Sequence, residues 1–539
     1  IPDVKELSSA ERLSTRVGAG SQTTFAVEPL LFDGGLIVPS SMTVPYPNDA
    51  GRVRVQGQPI DPDLELHWFP SLAKDHAYRL EMPDEERAFL LASRRDRNRV
   101  RRGQVDFRVY GSAVSSFVGR FEAFQTPAPR KVLASVMATS AALGSPFSGS
   151  RIQLFDLNAD GRVLATLPIE SDLPRIVSWA KGVSVASRES YALSAMHFGG
   201  KPVMVDDTLY ILGCVPRSAS TEIYALAFNL SATKESPLGS LRWMQKICAV
   251  SNINSRSAWS RQMEITECST LVYRFGKLYA QTNCGVSACL DSKSGEADWA
   301  FSYPKNLNNR SYRGWSYSSY RSPTGLTPSA PALDGMTLVS APTDGQSAYS
   351  LDALSGVLLR RMAGGSKLPY SAFQHFLGAL GGIAYFQAQE AILAEPTSER
   401  ARALLANGEV GDFEAQSTEN NLWPIANRQP KFDRALVVGK SVWVASAEEL
   451  IEVDRFTMEI RKRLAFPKVI APPPEEVIDP EVMIEEEWVF YDPDSYSAPS
   501  NCVPLLFFVP AEASADRIPR FARVDNEGLW LFPLRAKQD

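Results

Sequence analysis

Short stretches in which apolar and polar residues alternate recur along the chain, separated by turn-forming residues. The stretch 276–299 reads GKLYAQTNCGVSACLDSKSGEADW, in which two alternating segments flank an Asn-Cys-Gly turn. Asp291 then opens a second turn that Gly295 closes, and a further strand runs towards Trp299. Asp accepts hydrogen bonds from nearby backbone amides and Gly tolerates a positive φ. The pattern therefore predicts hairpins of short antiparallel strands.

The same unit returns with variations. Residues 348–360 repeat the turn with Asp352 and Gly356, and Arg360 stands where the Trp stood. In a later unit Met458 replaces the glycine. In chain order the predicted turn position holds Asp156, Asn229, Asp291, Asp352, Glu395, Asp454 and Asp525, and a further weak unit ends on Trp68. Eight units average about 67 residues, typical of irregular four-stranded blades.

These units predict an all-β chain. Each unit has apolar faces that it cannot bury alone, so neighbouring units must pack together, and a closed ring removes exposed sheet edges. We expect a β-propeller of four-stranded blades, eight favoured and seven the alternative, with a short helical insertion and long loops. A parallel α/β fold would need long helical patterns between the strands, and a β-sandwich would not explain the shared turn.

The stretch 289–299, CLDSKSGEADW, resembles the repeat of quinoprotein-type (PQQ-like) propellers, Ala-x-Asp-x-x-Thr-Gly-x-x-x-Trp. Cys289 replaces the alanine and Ser294 the threonine, and the resemblance weakens over the other units between 130 and 465 and in the tail. It implies a degenerate, non-catalytic member of a group that includes quinone-dependent dehydrogenases and a non-enzymatic lipoprotein of bacterial outer-membrane protein assembly. The residues assigned to the structural repeat are Asp291, Gly295, Trp299, Asp352, Gly356, Asp454, Asp525 and Trp530.

The units and the segments between them suggest five regions. They are an N-terminal arm (1–24), a first blade with a helical, basic insertion (25–130), PQQ-like blades (131–465), a Pro-rich acidic linker or arm (466–498) and C-terminal strands that close the propeller (499–539). Within the insertion, residues 80–102 read as a short helix that ends in an arginine cluster. This cluster is either a docking patch for an acidic partner or a solvated helix end.

Composition and charge narrow the classes of partner. The chain is 44% hydrophobic and 22% charged, as globular proteins are. Its 56 basic and 61 acidic residues give a net charge of -5, which argues against nucleic acid and anionic membranes as partners. The chain contains no run of about 18 apolar residues, so the sequence predicts no transmembrane segment. The chain starts Ile1-Pro2, so we expect a processed, exported protein, periplasmic or at the cell surface.

Candidate chemistry is sparse. Six cysteines and four histidines show no metal-ligand spacing, so we expect buried thiols or one or two disulfides and no zinc site. Residues 156–161 read D-x-N-x-D-G, but Leu167 stands where a calcium loop needs a bidentate Glu, so a hairpin turn is favoured. A quinone-dependent dehydrogenase of the resembled type needs a carboxylate base and a Ca²⁺ cage, and many have an adjacent Cys-Cys pair, which is absent. We predict no catalytic, cofactor or metal residues, with a PQQ- and calcium-dependent oxidoreductase as the alternative.

The segment 303–322, YPKNLNNRSYRGWSYSSYRS, is rich in the residue types that dominate binding hot spots. It is either a partner-binding loop between blades or a self-packed loop that covers the core, and aromatic side chains could also bind carbohydrate. We predict a non-catalytic scaffold whose partners are other proteins of a bacterial envelope or extracellular assembly. The candidate partner-binding residues are Tyr303, Arg310, Tyr312, Arg313, Trp315, Tyr317, Tyr320 and Arg321.

Overall fold

The computed structural model describes part of the chain. The described residues are 11–14, 30–32, 35–39, 64–69, 76–80, 121–125, 131–138, 150–156, 162–172, 192–193, 195–216, 220–232, 237–251, 269–305, 326, 329–362, 373–388, 392–406, 435–445, 449–466, 505–509, 519–525 and 528–534.

Antiparallel sheets make up nearly all of this part of the chain, and we number them 1 to 8 in chain order. Sheet 1 contains β2 (Leu30–Phe32), β3 (Gly35–Pro39), β4 (Leu64–Phe69) and β5 (His76–Leu80), and sheet 2 contains β6 (Phe121–Gln125), β7 (Lys131–Ala138), β8 (Ser150–Asp156) and β9 (Arg162–Leu167). Sheet 3 contains β10 (His197–Val205), β11 (Thr208–Pro216), β12 (Ser220–Asn229) and β13 (Leu241–Ser251), and sheet 4 contains β14 (Val272–Arg274), β15 (Lys277–Gln281), β16 (Val286–Asp291) and β17 (Ala297–Ser302).

Sheets 5 to 8 follow the same plan with two exceptions, in sheets 6 and 8. Sheet 5 contains β18 (Ala332–Asp334), β19 (Thr337–Ser340), β20 (Ala348–Asp352) and β21 (Leu358–Met362), and sheet 6 contains β22 (Phe373–Leu380), β23 (Ile383–Ala388) and β24 (Ile392–Pro396). Sheet 7 contains β25 (Leu436–Val438), β26 (Ser441–Ala445), β27 (Glu449–Asp454) and β28 (Ile460–Ala465), and sheet 8 contains β29 (Leu505–Val509), β30 (Arg520–Asp525), β31 (Gly528–Pro533) and β1 (Glu11–Ser14).

Each of sheets 1 to 7 is a meander in which every strand pairs with the next in the chain. The meander follows from the sequence because short loops and tight turns join consecutive strands antiparallel. Helical residues are few in the described chain. The helix α1 (Glu399–Ala406) follows β24 in the place where the other meanders have a fourth strand, and a 3-10 helix (Glu170–Asp172) and two helical residues, Ala192 and Leu193, lie between β9 and β10. None of the helices in this part of the chain is long and apolar enough to cross a membrane.

Sheet 8 joins the two ends of the described chain. β1 pairs antiparallel with β31, with Glu11 opposite Leu531 and Arg12 opposite Trp530. The sequence predicts only an arm for residues 1–24, since ERLS in β1 carries no recognisable strand pattern. The structure thus adds a strand to the N-terminal arm, and this strand is the outer strand of the C-terminal sheet.

The apolar core is divided into layers, each shared by two sheets that are consecutive in the chain. Sheets 3 and 4 share a cluster that includes Leu212 and Leu278, and sheets 4 and 5 share one that includes Tyr279 and Leu351. Similar clusters join sheets 2 and 3, 5 and 6, 6 and 7, and 7 and 8. Sheets 2 to 8 therefore pack face to face in chain order, as repeat units that cannot bury their apolar faces alone must do.

Three predicted repeat units, those of Trp68, Glu395 and Asp525, are placed differently in the structure. Trp68 lies on β4, the third strand of sheet 1, whereas Trp299 lies on the fourth strand of its sheet. In sheet 6, Pro396 rather than Glu395 occupies the turn position, since it pairs with Ile383 as Asp291 pairs with Lys277. The Asp525 turn joins the second and third strands of sheet 8, β30 and β31, and Trp530 lies on β31, so this turn is at a different place from that of Asp291.

Candidate interaction site

The turn between the third and fourth strands has the same hydrogen bonds in sheets 4, 5 and 7. In each, the backbone N–H of the aspartate donates to the carbonyl five residues later, and the residue at the glycine position donates back to the carbonyl of the aspartate. One carboxylate oxygen also accepts two backbone N–H bonds, at 2.7–3.2 Å. The aspartates are Asp291, Asp352 and Asp454.

A tryptophan from one sheet docks on this turn in the next sheet. Trp243 of sheet 3 donates an Nε1 hydrogen bond of 3.1 Å to the carbonyl of Ser292, and its ring lies where a side chain on Gly295 would be. Trp299 of sheet 4 repeats the contact one sheet further along, 3.0 Å from the carbonyl of Ala353. The Asp, Gly and Trp of the sequence repeat thus form one contact between sheets rather than within a sheet.

Where the tryptophan is absent, other side chains join the sheets. Arg360, at the Trp position of sheet 5, lies 2.9 Å from Glu399 of α1 and 3.9 Å from Glu395 of sheet 6. Sheet 6 has no fourth strand in the described chain, and the glycine position of the following turn is Met458. Its side chain is buried in the cluster between sheets 6 and 7 although its φ is +59°.

The other ends of the strands carry the longer connections, and there Tyr303 joins sheet 4 to sheet 5. Its hydroxyl donates a 2.8 Å hydrogen bond to Oδ1 of Asp344, and its ring stacks on Tyr349 at a centroid distance of 5.5 Å. Its backbone N–H also donates to the carbonyl of Gly285. Tyr303 is only 4% exposed, so it belongs to the interior between the two sheets.

Lys305 extends this connection by two residues. It forms an isolated antiparallel bridge with Gly345, and its Nζ lies 3.9 Å from Oδ2 of Asp344. Its carbonyl accepts a 3.4 Å bond from the side chain of Gln346. Its aliphatic stem passes over Gly285, where an added Cβ would lie 3.3 Å away from Cγ. The chain is therefore held against sheet 5 up to Lys305. The remainder of the predicted binding segment 303–322, which we call the aromatic segment, begins at residue 306.

Burial raises the pKa values of three side chains in this cluster, Asp344, Tyr303 and Cys248. Burial raises the pKa of Asp344, and the hydrogen bond from Tyr303 and the charge of Lys305 oppose that rise. Burial also raises the pKa of Tyr303 well above its usual value, and the Asp344 carboxylate adds to the rise. The nearby thiol of Cys248 has a pKa of about 11, again raised by burial, so it is protonated at neutral pH and is a poor nucleophile.

A buried amide makes a second polar connection between sheets 4 and 5. Gln281 is fully buried; its Oε1 accepts from the backbone N–H of Ala341 at 2.8 Å and its Nε2 donates to the carbonyl of the same residue at 3.0 Å. Ser340 donates to Oε1 and also bonds Ser287 at 2.8 Å. Gln387, at the equivalent position of sheet 6, accepts a bond of 2.7 Å from the backbone of Ala435 in the next sheet.

Of the predicted partner-binding residues, the structure describes only Tyr303, which is buried. The other seven lie outside the described residues, and their role stays a prediction. The same holds for the predicted helix over 80–102 beyond Leu80 and for the acidic segment beyond Phe466. The sequence did not single out Asp344 or Gln281, because both are isolated polar residues whose partners come from another sheet.

Among the described residues, no three His, Cys, Asp or Glu side chains converge as metal ligands. The predicted absence of a cofactor and its alternative, PQQ with calcium, stay predictions. Leu167, position 12 of the calcium-loop pattern that starts with Asp156 as position 1, is fully buried in the apolar cluster between sheets 2 and 3. Of the described cysteines, Cys214, Cys284 and Cys289 are buried and Cys248 is half-buried, and Cys268 and Cys502 lie outside the described residues.

No protein-family model and no curated protein matches the sequence. Among solved structures, BamB from Moraxella catarrhalis is similar with 12% identity and a TM-score of 0.28 over 64% of this chain and 84% of that one. The computationally designed Ika8 protein is similar with 9% identity and a TM-score of 0.36 over 77% and 82%. Sqt1 of Saccharomyces cerevisiae is similar with 7% identity and a TM-score of 0.42 over 99% and 100%. At these values the similarities decide neither architecture nor function.

Proposed function

We propose that the chain is a degenerate β-propeller that works as a non-catalytic interaction or scaffold subunit. The face-to-face packing of consecutive sheets supports the architecture, together with contacts between their first strands: β6 with β10, β10 with β14, β18 with β22, β22 with β25 and β25 with β29. First strands that follow one another around an axis are the arrangement of propeller blades. In this proposal each sheet is a blade and the pairing of β1 with β31 completes the last blade.

The observation that carries the interaction role is the anchoring of the chain before the aromatic segment. Tyr303 and Lys305 are held on Asp344 and Gly345 of the next sheet, so the segment that begins at residue 306 starts from a fixed point. Binding loops on rigid scaffolds lose less conformational entropy when a partner binds. We therefore assign the contacts with partner proteins to the aromatic and arginine side chains of residues 306–321.

The proposal includes a location. We place the protein in the periplasm or at the cell surface, where its partners are other subunits of a bacterial envelope or extracellular assembly. Neither catalysis nor a cofactor is part of the proposed function.

The test is native mass spectrometry with an absorbance spectrum on protein purified gently from its own source. We expect partner subunits at fixed stoichiometry, and we expect Tyr312→Ala/Trp315→Ala/Tyr320→Ala to release at least one of them. Phe275→Ala, at a highly exposed aromatic residue on the opposite ends of the strands, is the matched control and should retain every partner. Partners retained by the triple variant, or a lone protein with a bound chromophore, would contradict the proposal.

A further inference from the structure

Two cysteines from neighbouring sheets contact the same threonine between sheets 3 and 4. The backbone N–H of Cys284 donates a 3.1 Å hydrogen bond to Oγ1 of Thr282, and the side chain of Cys248 is also hydrogen-bonded to Thr282. Both cysteine side chains belong to the apolar cluster that these two sheets share. Cys284 is 4% exposed in this cluster, and Cys248 is half-buried at its margin.

The strand registers put these side chains on facing surfaces. Cys248 of β13 pairs with Ile223 of β12, and directly paired residues of antiparallel strands point to the same face, which here is the face towards sheet 4. In β15, Ala280 faces sheet 3, and the alternation of side chains along a strand continues this face to Thr282. Cys284 lies in the turn that follows, so the two cysteines approach each other from opposite sheets.

The backbone is irregular at both positions. The register of β12 with β13 shifts directly after the pair formed by Ile223 and Cys248. Cys284 lies in a turn between Asn283, with a φ of +53°, and Gly285, with a φ of +84°. A disulfide needs Cβ atoms about 3.5–4.5 Å apart and a defined torsion angle. A bulge and a turn adjust to these requirements more readily than a regular strand ladder does.

The other two described cysteines are placed differently. Cys214 pairs with Ile223 from the other side, so two spacings between neighbouring strands put its Cα about 10 Å from that of Cys248. A disulfide needs Cα atoms less than about 7 Å apart. Cys289 belongs to the cluster between sheets 4 and 5, on the opposite face of sheet 4. Within the described residues, Cys284 is therefore the cysteine that suits Cys248.

We infer that Cys248 and Cys284 form a disulfide between sheets 3 and 4 when the protein meets a small-molecule disulfide such as oxidised glutathione. One cysteine thiolate attacks the glutathione disulfide and releases one glutathione, and the second attacks the resulting mixed disulfide and releases the other. Two protein thiols are oxidised and one glutathione disulfide is reduced to two thiols, so atoms, protons and electrons balance. This disulfide is independent of the proposed partner-binding role.

The disulfide fixes a turn that also supports the start of the aromatic segment. Gly285, which follows Cys284, accepts the backbone hydrogen bond of Tyr303 and lies under the stem of Lys305. A cross-link between sheets restricts the unfolded chain, so the oxidised protein is the more stable form. Burial raises the pKa of the Cys248 thiol to about 11, which slows exchange in the folded protein at neutral pH.

The experiment incubates the full-length chain with oxidised glutathione at pH 9, where more of each thiol is ionised than at pH 7. Remaining thiols are blocked with iodoacetamide, and tryptic peptides are mapped without reduction. We expect a linked pair of peptides, 247–256 and 278–293, which reduction separates and whose fragment spectrum places the bond at Cys284. The oxidised protein should also unfold at a urea concentration about 1 M higher than the reduced protein.

Two single variants make the result specific. Cys248→Ser should abolish both the linked peptides and the difference in urea midpoint. Cys289→Ser is the matched control, because it removes a thiol from the same tryptic peptide as Cys284, and it should keep both effects. The peptide map of the wild-type protein decides the result independently of how well either variant folds.

Three outcomes would overturn the inference. The first is that Cys248 and Cys284 both remain open to alkylation, or carry glutathione, after oxidation. The second is that either of them is linked to a different cysteine. The third is an equal urea midpoint for the oxidised and reduced proteins, since a bond between the two sheets must restrict the unfolded chain.

Discussion

The indole of Trp299 lies on Gly356 of the following sheet and donates its Nε1 hydrogen bond to the carbonyl of Ala353, at 3.0 Å. The pair has a counterpart one sheet earlier in Trp243 and Gly295. Both glycines have positive φ, +71° and +77°. Glycine is therefore required at each position for two reasons: the turn needs a positive φ, and the tryptophan ring occupies the space of a side chain.

Gly356→Ala should destabilise the protein by about 2–3 kcal/mol, because a left-handed alanine is strained and its methyl group meets a packed ring. The added Cβ would lie 2.6 Å from Cδ2 of Trp299. Gly335→Ala is the matched control: its φ is +61° but no atom lies within 4 Å of the added Cβ. It should cost only about 1 kcal/mol. Urea unfolding measures both, and equal losses would mean that the ring contact contributes nothing.

The turn aspartates should make stability depend on pH in the acid range. Hydrogen bonds from the Ser355 side chain and backbone lower the pKa of Asp352, and the backbone bond from Ser294 leads the lowering of the pKa of Asp291. A carboxylate with a lowered folded-state pKa stabilises the fold above its unfolded value of about 3.9. That contribution is lost as the pH falls through the folded-state pKa.

We therefore expect Asp291→Asn/Asp352→Asn to reduce the loss of stability between pH 7 and pH 3. The measurement is the urea midpoint at each pH for the variant and for wild type. Asparagine keeps an acceptor oxygen in the turn, so the variant should fold at both pH values. An identical change in midpoint for the two proteins would show that these carboxylates do not contribute to the acid sensitivity.

Tyr303→Phe should destabilise the protein more at pH 7 than at pH 4. Burial raises the pKa of Asp344, so its contribution to stability is greatest below the unfolded value and declines as the pH rises through the folded-state value. Without the Tyr303 hydroxyl, a buried carboxylate at neutral pH loses a bond worth about 1–3 kcal/mol. Thermal melts at both pH values measure the difference, and in an Asp344→Asn background the effect of Tyr303→Phe should be the same at pH 4 and pH 7. A larger effect at pH 4 would contradict the assignment.

Gln281→Met should cost about 2–4 kcal/mol, since it keeps the volume of the side chain but leaves the buried N–H and C=O of Ala341 without the glutamine. Ser287→Ala removes one bond of the same network, to Ser340, which still donates to Gln281. It should cost only about 0.5–1.5 kcal/mol. Chemical denaturation compares the two, and a ranking in the opposite order would mean that Gln281 does not join the sheets.

The sequence predicted the local parts of this fold well and the contacts between its parts less well. The alternation around Asp291 and the Asp and Gly of its turn act within a few residues, so their pattern can be read directly. Trp299 belongs to the same local pattern, and the structure shows that it packs on the turn of the neighbouring sheet. Tyr303 was placed in the binding segment, yet it is buried because Asp344, far along the chain, accepts its hydroxyl bond.

Elements without a repeating pattern could not be found from sequence alone. β1 has only four residues and is a strand because β31 is its partner. Met458 stood out only as a replacement for glycine, whereas the structure shows a side chain that fills the interface next to sheet 6, which has three strands within the described residues. Such compensations depend on what a neighbouring sheet lacks, and no local window of sequence contains that information.

The pairing of β1 with β31 also imposes a delay during biosynthesis. Residues 11–14 leave the ribosome long before their partner strand, which follows only after residues 15–527 have been made. At about 5–20 residues per second this interval is roughly half a minute to two minutes. Throughout it the strand with which β1 pairs does not yet exist, so protection by chaperones matters for β1 until the C-terminal sheet has been made.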